Sequence, residues 1–173
     1  MTTVRLAISF VLVAALCARP LLAADLSKLK PWAGGATPKL SLTDLGGKQH
    51  DLAHYRGKVV VLSFWATWCA PCIKEMPSLQ RLADRLATEK FALLTVNFGE
   101  DEKQIRPFID KLGVRFPVLL DRDMSATRAW VDKGLPTTYV IDAHQKIRYR
   151  ALGDVEWDAR GVEARIRDLL PRG

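Results

Sequence analysis

The side chains best equipped for chemistry are Cys69 and Cys72, in the segment Trp65-Ala-Thr-Trp68-Cys69-Ala-Pro71-Cys72. Two thiols at this spacing can open a disulfide elsewhere and then close on each other. One of them must ionise readily. The segment joins a very apolar run, residues 59–64, to an amphipathic run that begins near Ile73. A strand turning sharply into a helix places Cys69 at the helix's first turn, with its sulfur toward solvent. There the unpaired backbone N–H groups and the positive end of the macrodipole favour a thiolate. A free cysteine ionises near pH 8.5, and helix starts of this kind bring it to about 3.5–7.5. A shift of about 1.5 units is worth roughly 2 kcal/mol to the anion. Cys69 reads as the nucleophile and Cys72, one turn deeper, as the thiol that resolves a mixed disulfide.

Other uses of the pair fit less well. A tetrahedral zinc site needs four ligands, but no cysteine follows Cys72, and the histidines are only His50, His54 and His144. His50 and His54 lie four apart, yet Tyr55-Arg56-Gly57 behind them reads as a loop. Haem attachment needs histidine directly after the second cysteine, and that position is Ile73. A purely structural bridge closing so short a loop would constrain the unfolded chain very little.

Beyond the two cysteines, Lys58-Val-Val-Val-Leu-Ser-Phe-Trp65, Ala66-Thr-Trp-Cys-Ala-Pro-Cys-Ile-Lys-Glu-Met-Pro77 and Gly134-Leu-Pro-Thr-Thr-Tyr-Val-Ile-Asp142 together resemble the thioredoxin superfamily. The closer match is its TlpA/ResA-type extracytoplasmic branch, over about residues 36–170. The resemblance implies a cis peptide bond before Pro136. The backbone of Leu135 would then offer its N–H and C=O to an incoming peptide. One departure from ordinary thioredoxin stands out: the buried aspartate of the strand before the active site is replaced by Ser63. In the TlpA/ResA-type branch a glutamate three residues after the second cysteine manages protons, and here that is Glu75. A peroxidase of the peroxiredoxin kind would want threonine three residues before its cysteine, where this chain has Ala66. Trp68 is expected as an apolar lip for substrate, with core packing as the alternative, and Trp65 as core.

Pro71 supplies no N–H where a further donor could stabilise the Cys69 thiolate. Strongly oxidising relatives place a histidine there and stabilise their reduced form. The Ala-Pro pair therefore points toward the reducing end of the scale. The resemblance implies cysteine-containing envelope proteins as clients, such as apocytochrome c or copper-site cysteines of oxidase subunits, and a membrane thiol reductant as electron donor. It implies a monomer with no cofactor beyond the Cys69–Cys72 disulfide. Two alternatives keep the same fold: a copper metallochaperone using the cysteines as soft ligands, or an oxidase or isomerase running the chemistry in the opposite direction.

The 173 residues carry 26 Lys and Arg against 19 Asp and Glu, a net charge of +7. Arg5 followed by thirteen apolar residues, 6–18, and small residues near Ala24 is the pattern of a secretory signal peptide over residues 1–24. An uncleaved anchor is the alternative, though the run falls short of the ~20 residues that span a bilayer. Cys17 follows Leu16, where a lipidation site wants a small residue, and it would leave with the signal. Loss of Arg5 and Arg19 leaves 24 bases against 19 acids, a charge of +5. Those charges are interleaved as on solvated helix faces, so nucleic-acid binding is not expected.

The order of elements must position the cysteines. Residues 25–36, with Pro31 and Gly34-Gly35, read as a flexible leader, and residues 37–173 as the thioredoxin-like domain. Residues 39–50 read as a hairpin around Asp44-Leu-Gly-Gly47. Buried strands are expected at 59–64 and 91–97, and helices at 73–88, kinked at Pro77, and at 100–112. A short strand at 116–120, a short helix at 125–131, strands at 137–141 and 146–152 and a last helix at 158–170 complete the chain. The expected fold is α/β: a mixed central sheet with helices on both faces, an N-terminal hairpin and an inserted helix–strand segment between 99 and 121.

Overall fold

The computed structural model describes residues 26–172. The segment expected as a signal peptide, residues 1–24, lies outside them. Six strands form one sheet: β1 (Lys30–Pro31), β8 (Ile147–Leu152), β7 (Thr137–Ile141), β4 (Val59–Trp65), β5 (Phe91–Phe98) and β6 (Val118–Asp121), in that spatial order. β2 (Ser41–Thr43) and β3 (Gln49–Asp51) form a separate antiparallel hairpin. The helices are α1 (Ala70–Arg85), α2 (Glu102–Leu112), α3 (Ser125–Trp130) and α4 (Arg160–Arg167), with a 3-10 turn at Leu52–Tyr55.

β4 is the centre of the sheet because it can be buried on both faces. All seven of its residues are buried, which is why it reads as one continuous apolar run. It runs parallel to β5 and antiparallel to β7, with Ser63 opposite Thr95 on one side and Thr138 on the other. One face of the sheet packs Trp65, Cys69, Cys72 and the stripe Met76, Leu79, Leu82 of α1 with Ile105 of α2 and Val162 and Ile166 of α4. The other face packs Leu62, Phe64, Val96 and Tyr139 under Trp130 of α3, Leu40 and Leu52. This is the mixed sheet with helices on both faces that the sequence leads one to expect.

The hairpin turns at Asp44, whose carboxylate accepts the N–H groups of Gly46 at 2.8 Å and Lys48 at 2.9 Å. It docks on the edge of the sheet through the Leu45 N–H to the Val118 carbonyl, 3.0 Å. The inserted segment is α2 followed by β6, the last strand of the sheet. α2 starts at a reciprocal cap between Asp101 and Gln104 and ends at Gly113 in the left-handed region, φ 65°.

Two expectations about the fold need correction. Residues 25–36 are not simply a flexible leader. Leu29 is 1% exposed within the core, and Lys30 and Pro31 pair with Arg150 and Tyr149 as the sixth strand. Two residues show no alternation, and a proline is tolerated at a sheet edge, so the pairing left no mark in the sequence. The active-site helix also begins earlier than residue 73. Pro71 lies in its first turn, where the missing N–H would have had no intrahelical partner. Pro77 lies inside a helix that continues to Arg85.

Candidate active site

Cys69 is the N-cap of α1, with extended backbone at φ −90° and ψ 94°, and its side chain makes no capping hydrogen bond. It is joined to Cys72 by a disulfide, Cα–Cα 5.3 Å. An N-cap acceptor ordinarily takes the N–H of the second or third helical residue. Here the second is Pro71, which has none, so only the Cys72 N–H is left to a Cys69 thiolate. Cys69 is 5% exposed in this disulfide form, so its sulfur does not face solvent as freely as a helix-start position suggested. The ring of Trp68 is what stands out: it is 66% exposed and meets Phe98 edge-on at 6.2 Å. Trp65 is buried and stacks on Phe108 at 6.1 Å.

Glu75 belongs to the buried stripe of α1, one turn beyond Cys72 and beside Met76. It is 2% exposed. Three donors hold its carboxylate. The Ser63 hydroxyl donates to Oε1 at 3.1 Å, and the Trp157 indole N–H and the Val155 N–H donate to Oε2 at 3.0 and 3.3 Å. Thr138 in turn donates to Ser63 at 2.9 Å. Burial dominates these hydrogen bonds and pushes the Glu75 carboxyl up to about 7. The nearby Asp154 carboxylate adds to the rise. Ser63, at the position where ordinary thioredoxin carries its buried acid, is thus in contact with an acid that arrives from the helix.

The Leu135–Pro136 bond is cis. Pro136 leads directly into β7, and Thr137 lies opposite Phe64, one residue before Trp65 at the end of β4. The Pro136 carbonyl accepts the Gly153 N–H at 3.0 Å. Leu135 is partly buried against both core clusters. All six residues singled out in the sequence, Trp68, Cys69, Cys72, Glu75, Leu135 and Pro136, belong to the segments that meet at this end of the sheet.

Two contributors were missed. Glu100 was read as the start of a helix, but the helix starts two residues later, and Glu100 turns back to the active-site loop instead. Its carboxylate accepts the Thr67 N–H at 2.7 Å, the Thr67 hydroxyl, and the Asn97 side-chain amide at 2.7 Å. Asn97 returns the bond by accepting the Glu100 N–H at 3.1 Å. The loop that carries Trp68 and Cys69 is thereby fixed to the end of β5. Trp157 was the second omission. The loop that holds it is bound to α1 through Ser78, whose hydroxyl accepts the Trp157 N–H at 3.0 Å.

A redox-active pair at the start of a helix, a buried acid one turn on and a cis-proline strand alongside define a thioredoxin-like thiol–disulfide oxidoreductase. The chain belongs to the AhpC/TSA family, whose model matches residues 33–150. It is 36% identical over 138 residues to the thiol-disulfide oxidoreductase ResA of Geobacillus kaustophilus, covering 80% of this chain and 78% of that one. Among solved structures it resembles a Chlorobium tepidum protein described as a candidate thiol:disulfide interchange protein DsbE. That likeness has a TM-score of 0.72 at 26% identity and covers 81% of this chain and 99% of the other. It also resembles an exposed lipoprotein thioredoxin of Streptococcus pneumoniae, with TM-score 0.67 at 26% identity, covering 76% and 100%.

Proposed function

We propose that the protein works outside the cytoplasm as a reductant of disulfides in cysteine-containing envelope proteins, and that a membrane thiol reductant rearms it. Apocytochrome c or the copper-site cysteines of an oxidase subunit are the clients that the family resemblance favours. The Cys69 thiolate attacks one sulfur of the client disulfide, forming a mixed disulfide and releasing the other sulfur as a thiolate. Cys72 gives up its proton and attacks Cys69, breaking the Cys69–client bond and expelling the second client sulfur as a thiolate. The dithiol thus supplies the two electrons that the client gains, and the protein ends as the Cys69–Cys72 disulfide. A thiol buried in an apolar stripe ionises reluctantly. Glu75, with a carboxyl near 7 and one turn away, can take that proton at neutral pH and return it when the pair is reduced again. Leu135 and the cis Pro136 present backbone for the client strand, and Trp68 gives it an apolar edge.

The observation that carries the direction of transfer is Cys69 at an N-cap with Pro71 at the second helical position. The fewer donors meet the thiolate, the less the reduced form is stabilised, and the more reducing the couple becomes. Equilibration with glutathione tests this. The expected potential lies nearer thioredoxin's, about −270 mV, than DsbA's, about −120 mV. A value more positive than about −180 mV overturns the reductant reading and favours an oxidase or isomerase.

A further inference from the structure

Among the described residues, the large apolar side chains left exposed are Trp68 and Leu152, the latter at 41%. Both lie at the end of the sheet that holds the disulfide. Trp68 precedes Cys69, and Leu152 pairs with Thr137, the residue after Pro136. From Leu152 a cleft of about 570 Å³ runs along the sheet edge, lined by Lys30, Pro31, Trp32, Asp132 and Arg150. That volume is within the range of ligand clefts, roughly 300–1,000 Å³.

The cleft has an apolar body and a basic rim. Arg150 lies 5.8 Å from the Trp32 ring centroid and pairs with Asp132, so these two charges cancel. Lys30 is exposed and has no acidic partner among the described residues. Lys133, exposed beside Asp132 in the chain, draws on the same carboxylate as Arg150 and leaves a surplus positive charge there. The backbone of Leu135 likewise takes part in no hydrogen bond among the described residues. A strand laid against Leu135 would therefore run on toward Leu152 and the cleft, with alternate side chains turned into it.

We propose that this cleft is a client subsite. It receives the stretch of substrate polypeptide that flanks the client disulfide, and it selects a stretch carrying glutamate or aspartate beside a leucine-sized residue. The apolar walls take the leucine, and Lys30 and Lys133 attract the carboxylate. The proposal rests on the reading of the protein as an oxidoreductase of protein disulfides.

Three disulfide-cyclised peptides test it, alike except that Glu-Leu, Gln-Leu or Lys-Leu flanks the cysteines on both sides. In wild-type protein at low salt, kcat/KM for the glutamate peptide should exceed that for the lysine peptide by about tenfold, the size of one or two exposed charge contacts. The ratio should approach one in 1 M NaCl, where screening reaches within about 3 Å. In the double variant Lys30→Glu, Lys133→Glu the ratio should fall to one or below. A ratio that is the same in both proteins, or indifferent to salt, overturns the subsite. Peptides with serine in place of cysteine separate this outcome from failure of the functional reading. If no peptide is reduced, NMR titration should still shift the Trp32 indole N–H with the glutamate peptide more than with the lysine peptide. Equal or absent shifts overturn the subsite on their own.

Discussion

Glu75→Gln is the substitution whose effect can be worked out furthest. The carboxyl titrates near 4.5 when exposed and near 7 when buried here, so between those values the folded protein holds a proton that the unfolded chain has lost. Stability from this group is full below about pH 4.5, falls as pH rises toward 7, and levels off above it. Between pH 5 and pH 8 the loss comes to roughly 2–3 kcal/mol. Glutamine has no proton to lose. Its carbonyl can accept from Trp157 and Val155, and its amide can donate to Ser63, whose hydroxyl then turns to Thr138, so no buried group is left unpartnered. The two disulfide-bonded proteins should thus differ by less than about 1 kcal/mol at pH 5. At pH 8 the variant should be the more stable. Urea unfolding at pH 5, 6, 7 and 8 reads this directly. With a slope of roughly 2 kcal/mol/M, the gap between midpoints should widen by about 1 M in favour of the variant. Carboxylates paired with arginine and lysine affect both proteins equally and cancel in the difference. A gap that stays constant from pH 5 to pH 8 would refute the raised carboxyl, and with it Glu75 as the proton acceptor.

Trp157→Phe removes one of three donors to the ionised carboxylate, so Glu75 should titrate higher still. A carboxyl that stays neutral to higher pH opposes a neighbouring thiolate less, so the pH profile of Cys72 alkylation in the reduced protein should move to lower pH; an unmoved profile means that the indole bond does not act on the acid. Cys72→Ser should accumulate mixed disulfides on Cys69 when mixed with an oxidised client, whereas Cys69→Ser should trap none. Non-reducing gels decide this, and equal trapping by both variants would refute the division of labour between the two cysteines.

Much of this was legible because the signals are local. β4 announces itself through seven residues that are all buried. Cys69 and Pro71 fix the helix start by position, and Glu75 falls on the buried stripe because it stands three residues after Cys72 and three before Ser78. The illegible parts are those that depend on distant partners. Nothing near Glu100 says that its carboxylate will accept from Thr67, 33 residues earlier. Nothing near Trp157 points to Glu75, 82 residues away. β1 was missed because Lys30 and Pro31 become a strand only when β8 supplies the other half of the ladder. The low exposure of Cys69 is likewise a property of how the loop between β4 and α1 is held, not of the motif.

The contact between Ser63 and Glu75 bears on how descent is read from aligned sequences. The acid slot beneath the active site is a point in space that can be reached from β4 or from α1, twelve residues apart in the chain. Two lineages could keep the slot filled while each looks, column by column, as though it had lost the other's acid. A mutational path between them need pass only through a state with both carboxylates, or with neither, in one small volume. Comparing such proteins by which residue occupies the slot, instead of by which column it is written in, would recover a shared device that alignment scores as divergence.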